Sequence, residues 1–357
     1  MIQPEIGVVP YRPEFKPQVL DLLRGMWGSD PGRNQSYFEW KYEANPGAVS
    51  PLGIVALQQD RVVGFRGYFA VRFEVPGRND NLLILCPSDM CIHPEYRRRG
   101  LSTAMGRLAI REYGGQASGF LSATVNQASL PAGLKVRFVP LVDRVYWTRA
   151  SLWGVVRHVL ARRQVSPIEA SRVQLGRQGK ILVSRRPRPE EMASVAAGEG
   201  PIEGKIGLVR DAAFFRWRFD NPWGKYLFYY RLEDGIAAGY LVLGLSPNNR
   251  RGYILDYAPA GGQAIEEIVR HIVESGQVDL LSILSFGVAD TLRPVLSRWG
   301  FKTTGPVRTL ERRLYGELPV LIRPVNEGWT EADWLVEGLD MRKIESWSLK
   351  PIVSDDA

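Results

Sequence analysis

Cysteine and histidine are scarce in this sequence. The 357 residues include only two cysteines, Cys86 and Cys91, and three histidines that are spread along the chain. Two cysteines five positions apart form neither a disulfide framework nor the paired spacing of a zinc knuckle. A zinc site needs about four clustered ligands, which these residues do not supply. We therefore expect no metal centre.

Long apolar runs are also missing. No stretch approaches the roughly 18–20 apolar residues that span a bilayer. The N-terminus, MIQPEIGVVPYRPEF, has no charged start followed by an apolar core and a cleavage site. We expect a cytoplasmic protein without a transmembrane segment. Its 46 Lys and Arg against 38 Asp and Glu give a formal charge of +8, which suits nucleic acid, an acidic membrane surface or an anionic cofactor.

An aromatic motif occurs twice in the chain. Residues 37–46, YFEWKYEANP, recur one residue shorter at 214–222 as FFRWRFDNP. Each copy is followed by strand and helix patterns in the same order. The landmarks that correspond are Trp40 with Trp217, Gly64 with Gly239, and Phe138 with Phe301. A match in order over several landmarks predicts two copies of one domain.

The repeat sets the predicted domain boundaries. We place the first copy at residues 1–150, a helical linker at 151–180 and the second copy at 181–315. The linker contains a basic helix pattern over 153–163, which lies either on a membrane surface or, more commonly, against the protein itself. Residues 316–357 have no counterpart between the copies and are predicted to be a C-terminal extension.

Apolar spacing predicts the elements that matter for the site. It favours helices over 101–113 and 261–273, and short buried strands over 82–86 and 120–125. Aromatic residues at the density of the repeated motif more often fill a core than wall a substrate pocket. We expect that packing role here, with Lys41 and Tyr42 facing solvent.

The most informative stretch is MCIHPEYRRRGLST, residues 90–103, which runs from a predicted strand directly into a predicted helix. A helix start presents unpaired N–H groups and a positive dipole end, which favour phosphate. Arg97, Arg98 and Arg99 add three positive charges, and Gly100 permits close approach to the backbone. The pattern indicates a pyrophosphate site; the alternative is a solvated basic patch with a turn glycine.

This stretch resembles the acyl-CoA motif of the GNAT N-acetyltransferase superfamily, [Gln/Arg]-x-x-Gly-x-[Gly/Ala] after a strand, with Ser102 at the last position. Residues 126–138, NQASLPAGLKVRF, resemble that family's Asn-x-x-Ala…Gly-Phe segment, with Arg137 replacing the glycine. The resemblance implies an α/β (α+β) tandem GNAT fold: two copies of a mixed, mostly antiparallel sheet flanked by helices, the second copy being degenerate.

The resemblance also implies the ligands. Acetyl-CoA or another acyl-CoA would be the co-substrate, and a small-molecule or peptide amine would attack it directly in a ternary complex. A backbone N–H near Cys91 would polarise the thioester carbonyl. The implied cofactor-binding residues are Met90, Cys91, Ile92, Arg97, Arg98, Arg99, Gly100, Leu101, Ser102, Thr103 and Asn126.

The acid and base are less clearly indicated. Asp89 is the candidate base, or else a polar residue that points away from the cleft. The family often has a tyrosine five residues before the terminal phenylalanine that protonates the leaving thiolate, and Gly133 stands there. Either the thiolate leaves unaided, or Ser129 or a tyrosine elsewhere substitutes. Asn126 either binds the cofactor arm or only ends the strand.

The second copy lacks the arginine cluster. At the matching place it has DYAPAGG, residues 256–262, so we expect one active site per chain, in the first copy. One rival resembles the tandem-GNAT transferases that use aminoacyl-tRNA, which would not need the pyrophosphate loop. The other rival is a non-catalytic acyl-CoA-binding or scaffold protein. No nucleic-acid-binding motif is present, and we expect a monomer or a homodimer.

Overall fold

The computed structural model describes residues 5–48, 50–150, 173–176, 179–247, 250–304 and 318–354. The strands described are β1 Ile6–Pro10, β2 Leu52–Gln58, β3 Arg61–Glu74, β4 Leu82–Ile92, β5 Gly119–Ser122, β6 Val139–Asp143, β7 Tyr146–Ala150, β8 Val173–Gly176, β9 Gly179–Ser184, β10 Ile206–Leu208, β11 Tyr226–Glu233, β12 Ile236–Leu245, β13 Arg251–Ala258, β14 Leu280–Leu284, β15 Pro319–Pro324, β16 Leu335–Val336, β17 Leu339–Asp340 and β18 Trp347–Ser348. The α-helices described are α1 Lys16–Trp27, α2 Pro31–Phe38, α3 Leu101–Tyr113, α4 Leu130–Lys135, α5 Pro189–Ala197, α6 Ala212–Phe219, α7 Gln263–Ser275 and α8 Arg293–Arg298.

These elements form two compact units. Among the described residues, the first unit comprises those up to Asp143 with Glu203–Val209 and Leu318–Trp347, and the second comprises the remainder, including the segment from Ser348 onward. The chain therefore passes from one unit to the other several times, for example after Asp143 and after Val209, and the predicted boundaries at 150, 180 and 315 do not coincide with these positions. The predicted linker helix over 153–163 and the predicted end of the second copy near residue 315 lie outside the described residues.

The first unit is built on a sheet of order β1-β2-β3-β4-β5-β15-β6. Every neighbouring pair along it is antiparallel except β4 and β5. Strand β15, which the sequence placed in an extension, lies between β5 and β6. Two hydrophobic cores involve this sheet, one containing residues of α3 and the other containing residues of α1 and α2.

The second unit repeats this plan. Its sheet has the order β8-β9-β11-β12-β13-β14-β7, and only β13 and β14 are parallel. Strand β7, which the sequence placed in the first copy, pairs with β14 here, as β15 pairs with β5 in the first unit. Local sequence patterns identify a strand but not its partner, so this exchange of strands is not visible in the sequence. The mixed, mostly antiparallel sheets flanked by helices confirm the predicted fold class.

Helix α3 spans the predicted range, because its apolar residues recur every three or four positions. Met105, Ala109 and Ile110 are buried in the core, and a fully buried Met or Ile side chain contributes about 1.5–3 kcal/mol. Helix α7 begins two residues later than predicted, at Gln263. Strand β5 ends at Ser122 rather than continuing to residue 125. Within the residues that the structure describes, no helix combines the length and apolar character that a membrane-spanning segment requires.

Candidate functional site

Strands β4 and β5 separate soon after they meet. Their parallel pairing is limited to Ile84 with Gly119 and Leu85 with Phe120. Strand β4 continues to Ile92 and stays paired with β3 on its other side. Its edge beyond Leu85 therefore faces an opening that leads towards the start of α3. Backbone N–H and C=O groups at such an edge are available to a ligand.

A β-bulge shapes the end of β4. Cys91 pairs with Phe65 of β3, and the next pair is Ser88 with Gly67, so Asp89 and Met90 together oppose one residue. Asp89 has φ 48°, in the left-handed region. Met90, Cys91 and Ile92 are half-buried at the end of the strand. Burial raises the pKa of the Cys91 thiol, which favours its protonated form.

The loop before α3 contains two residues with left-handed backbone. Arg98 has φ 61° and Gly100 has φ 79°, and left-handed residues are a component of the backbone nests that bind anions. The Gly100 carbonyl accepts from the N–H of Thr103 at 3.1 Å, so the Thr103 N–H is already used. Leu101 is buried, and Ser102 and Thr103 are half-buried.

The three arginines differ in their contacts. Arg97 donates to the Ile92 carbonyl at 3.1 Å, and Arg99 donates to the Glu95 carbonyl at 3.1 Å. The first bond holds the loop against the end of β4, and the second is formed within the loop. Arg98 is exposed and, among the described residues, has no ion-pair or hydrogen-bond partner. Its guanidinium is therefore the one best placed to pair with an added anion.

Asp89 lies in a network of donors. Its Oδ2 accepts from Lys41 Nζ at 2.6 Å, Tyr42 OH at 2.5 Å and Ser88 Oγ at 3.1 Å. Its Oδ1 accepts from Trp27 Nε1 at 3.2 Å. The Asp89 side chain is 12% exposed and that of Lys41 is 1% exposed. The carboxylate thus turns towards α1 and the segment after α2, with its acceptor capacity largely used.

The expectation that Lys41 and Tyr42 face solvent is wrong. They lie in a π-helical turn, Glu39–Glu43, that continues α2, and such turns re-aim side chains. The turn directs both residues inward to Asp89, and a Cβ at Gly67 would overlap the Tyr42 hydroxyl. Burial, and then repulsion by Asp89, raise the pKa of Tyr42 well above its ordinary value. Tyr42 is therefore a neutral donor.

The rest of the aromatic motif packs as expected. Tyr37, Phe38 and Trp40 are buried. The Lys41 ammonium lies 5.2 Å from the Tyr37 ring centroid and 5.9 Å from that of Phe69, close enough for cation–π attraction. The repeat in the sequence offered a signal for the buried lysine, because both copies of the motif have a basic residue directly after the tryptophan. In the second copy this residue is Arg218, which is also buried, at 2% exposed.

Asn126 and Ser129 form a turn before α4. Asn126 Oδ1 accepts from the N–H groups of Ala128 at 3.0 Å and Ser129 at 2.9 Å. Ser129 Oγ accepts from the Asn126 N–H at 3.0 Å. The Asn126 side chain is exposed, and its Nδ2 group remains as the donor for a ligand. Both residues therefore stabilise the turn that leads into α4.

Gly133 is buried where the family often has a tyrosine. A Cβ there would lie 3.0 Å from Leu321 Cδ1 of β15. The strand that completes the sheet thus occupies the space that a larger side chain would enter. The leaving group has no dedicated tyrosine at this position.

The second unit lacks the charge of this loop. Strands β13 and β14 also separate, after Tyr253 pairs with Ser282. Helix α7 begins after Gly262, at φ 98°, and residues 256–262 contain no arginine. Among the described residues of the chain, no group of three or more Asp, Glu, His or Cys side chains is arranged to hold a metal ion.

Comparisons with known proteins agree with this geometry. Residues 8–125 match the family of acetyltransferase (GNAT) domains, whereas no curated protein matches the chain. A GCN5-related N-acetyltransferase from Anabaena variabilis has a TM-score of 0.60 at 14% identity, over 90% of this chain and 73% of that one. A probable N-acyltransferase from Enterococcus faecalis has a TM-score of 0.60 at 12% identity, over 90% and 72%.

A third structure matches both units. The tandem GNAT protein from the clavulanic acid biosynthesis pathway has a TM-score of 0.51 at 14% identity, over 90% of this chain and 99% of that one. At these identities the structures establish the fold alone. Residues 8–125 are therefore a domain of the GNAT acetyltransferase family, carried in a chain with the tandem GNAT fold.

Proposed function

We propose that the first unit transfers an acyl group, most directly acetyl, from acyl-CoA to a primary amine. The observation that supports this most strongly is the left-handed backbone at Arg98 and Gly100, at the start of a 13-residue helix. It lies beside the end of β4, where β4 and β5 have separated. An anion site next to an open strand edge suits a ligand that has a pyrophosphate and an amide-bearing arm.

The proposal assigns each part of the ligand to residues of this chain. The N–H groups from Arg98 to Ser102 bind the pyrophosphate with the Arg98 guanidinium. The backbone of Met90, Cys91 and Ile92 binds the arm, and a backbone N–H near Cys91 donates to the thioester oxygen. Acyl-CoA supplies the activated carbonyl carbon. The amine nitrogen bonds to that carbon, the C–S bond breaks, and the amine proton leaves to a base.

Asp89 is the proposed base because it is the carboxylate of β4, the strand that borders this opening. The Lys41 ammonium at 2.6 Å stabilises its negative charge, the form that accepts a proton. The other three donors compete with an incoming amine for the same oxygens. Asp89 can accept the amine proton only if one of these donors breaks its hydrogen bond to the carboxylate or if a water molecule relays the proton.

A second candidate function is acyl-CoA binding without turnover. It is favoured by the packing of Gly133 against Leu321, which leaves no tyrosine acid there, and by the four donors on Asp89. Both functions use the same loop to bind acyl-CoA, but only the transferase breaks the thioester and releases CoA. Measuring acyl-CoA binding and CoA release separately therefore distinguishes them.

Binding is tested by calorimetry with acetyl-CoA on the wild type, Arg98→Glu and Gly100→Glu. We expect micromolar affinity, weakened at least about tenfold, or about 1.4 kcal/mol, by either substitution. The control is Arg107→Glu, which makes the same charge change on an exposed residue of α3 further from its start. Its affinity should stay close to that of the wild type. Wild-type protein that binds no acyl-CoA of any chain length would refute the site.

Turnover is tested by CoA thiol release in a screen of primary amines, with Asp89→Asn alongside the wild type. We expect release that depends on the amine, and loss of release in Asp89→Asn with acetyl-CoA affinity retained. Tight binding without amine-dependent or slow hydrolytic release would select the non-catalytic function. Full activity of Asp89→Asn would remove Asp89 as the base but leave acyl transfer standing.

A further inference from the structure

The C-terminal segment from Leu349 to Ser354 is buried in the second unit. Its backbone is held by the guanidinium of Arg218, which donates to the Ile352 carbonyl at 3.1 Å and to the Ser354 carbonyl at 2.8 Å. Arg218 is itself 2% exposed. A segment that is buried and bonded through its backbone is a fixed part of the unit.

This segment lies at the opening between β13 and β14. Beyond their paired part, Tyr257 of β13 bridges the gap: its OH donates to the Gly287 carbonyl at 2.8 Å and accepts from the Ala289 N–H at 2.9 Å. Pro351 packs directly on Gly287, where a Cβ would overlap its ring. The segment therefore occupies the place that corresponds, in the first unit, to the opening between β4 and β5.

Lys350 is the charged residue of this segment. Its side chain is buried, at 6% exposed, and its Nζ lies 3.8 Å from the centroid of the Tyr257 ring. That distance is typical of a strong cation–π contact. Among the described residues, the ammonium makes no hydrogen bond or ion pair within 4 Å.

Lys350 is electrostatically coupled to a buried cluster of charged side chains, in which two carboxylates attract its ammonium and Arg210 repels it. Arg210 bonds to Glu199 at 2.6 Å and to Asp256 at 3.2 Å, and Tyr240 OH donates to Asp256 at 2.7 Å. Arg210 also donates to the carbonyl of Tyr257 at 3.1 Å, which ties the cluster to the residue whose ring Lys350 contacts. Asp256 is fully buried.

We propose that this cluster is a binding site for a primary alkylammonium ion, formed by the Tyr257 ring and the Asp256 and Glu199 carboxylates. The resident ligand is the chain's own Lys350, delivered by the C-terminal segment. A compact ammonium suits an aromatic face with carboxylates in its surroundings, because it does not require a planar set of acceptors. This site is separate from the acyl-transfer site proposed in the first unit and stands independently of it.

The two carboxylates only partly offset the effects of burial and of Arg210 on the Lys350 ammonium. Burial and repulsion by Arg210 lower its pKa to about 8, while Asp256 and Glu199 act in the opposite direction. The side chain is therefore mostly an ammonium at neutral pH. Tyr257 and Tyr240 stay neutral, since burial raises the pKa of both.

The test is chemical rescue of full-length Lys350→Ala. This substitution removes a three-carbon chain and its nitrogen, which n-propylammonium replaces. We expect a lower Tm in Lys350→Ala, recovered in a saturable way by n-propylammonium with a Kd on the order of millimolar, as befits a fragment-sized ligand. 1-Propanol, which has the same chain without the charge, should not restore the Tm.

Controls identify the site. The wild type and Lys343→Ala, which removes an exposed lysine of the C-terminal region, should not respond to n-propylammonium. Lys350→Ala/Asp256→Asn should respond at least about tenfold more weakly than Lys350→Ala, because the buried carboxylate that attracts the ammonium is gone. Equal rescue by 1-propanol, or an equal response in the double variant, would overturn the proposal.

A second measurement covers the case in which Lys350→Ala does not fold. Lys350→Met fills the same space without charge, and its loss of Tm is compared with that of Lys350→Met/Asp256→Asn. We expect the double variant to lose less than the sum of the two single variants, because neither charge is left unpaired. Additive losses would show that the ammonium is not compensating the cluster, which refutes the site.

Discussion

The buried ion pair between Lys41 and Asp89 is expected to be strongly coupled. The two groups are 2.6 Å apart, and their side chains are 1% and 12% exposed. Removing one partner of a buried pair costs about 3–5 kcal/mol. In Lys41→Met, Asp89 keeps three neutral donors and some contact with water, so we expect the lower end, about 3 kcal/mol.

The opposite single substitution leaves the cation without its partner. In Asp89→Asn, the Lys41 ammonium loses its carboxylate partner and keeps neutral contacts, among them the Tyr37 hydroxyl at 3.4 Å and the Tyr37 ring at 5.2 Å from its centroid. A cation–π contact of this kind contributes about 0.5–2 kcal/mol, less than the lost ion pair. Asparagine also tolerates the left-handed backbone at this position. We therefore expect a loss of about 3 kcal/mol here too.

The double variant Lys41→Met/Asp89→Asn separates pairing from packing. With both charges removed, no buried ion is left uncompensated, and we expect a total loss well below the sum, with a coupling energy of at least about 2 kcal/mol. The measurement is urea unfolding followed by tryptophan fluorescence, since Trp27 donates to Asp89. Losses that add within about 0.5 kcal/mol would show that the pair is not coupled and would refute this reasoning.

Two further predictions concern pH and the turn before α4. The pKa of Lys350 is about 8 in the folded protein and 10.5 ordinarily, so between these values the unfolded chain binds the extra proton and stability rises with pH. Each pH unit adds up to about 1.4 kcal/mol to the free energy of unfolding, which gives about 2 kcal/mol between pH 8 and 10. Urea unfolding of Lys350→Met at several pH values should lack this rise. An unchanged dependence of stability on pH in this variant would contradict the lowered pKa. Asn126→Asp keeps the oxygen that accepts from Ala128 and Ser129 but removes the Nδ2 donor, so we expect an unchanged Tm and an acetyl-CoA affinity weakened about tenfold, measured by calorimetry. Asn126→Ala should also lose about 1 kcal/mol of stability, and wild-type affinity in Asn126→Asp would identify Asn126 as a turn residue only.

The parts of the fold that depend on local pattern were predictable. Helix α3 follows from apolar spacing and from a glycine that adopts φ 79° just before its first residue. The repeat of the aromatic motif predicted two similar units. The positions of β7 and β15 did not follow, because a strand of five or six residues carries no record of which sheet it joins.

For the candidate site too, only the part that is contiguous in sequence was predictable. The candidate cofactor loop is contiguous in sequence, so its arginines, its glycine and the helix start could be recognised together as a candidate site. The partners of Asp89 could not, since Lys41 and Tyr42 are 48 and 47 residues away. Lysine is rarely fully buried, so the residue type predicted an exposed side chain at position 41. The π-helical turn instead directs Lys41 into the interior.

Each unit contains a buried aspartate that is paired with a basic residue, but the partners differ between the two units. Each strand before the long helix carries an aspartate, Asp89 or Asp256, that is nearly or fully buried. In the first unit Lys41, within the repeated motif, pairs with Asp89. In the second unit Arg210 pairs with both Asp256 and Glu199, and Lys350 lies on the ring of Tyr257, the residue after Asp256. The segment that carries Lys350 packs on Gly287, in the opening between β13 and β14. The second unit therefore fills this opening with its own chain, and residues 256–262 contain no arginine that could bind an anion there.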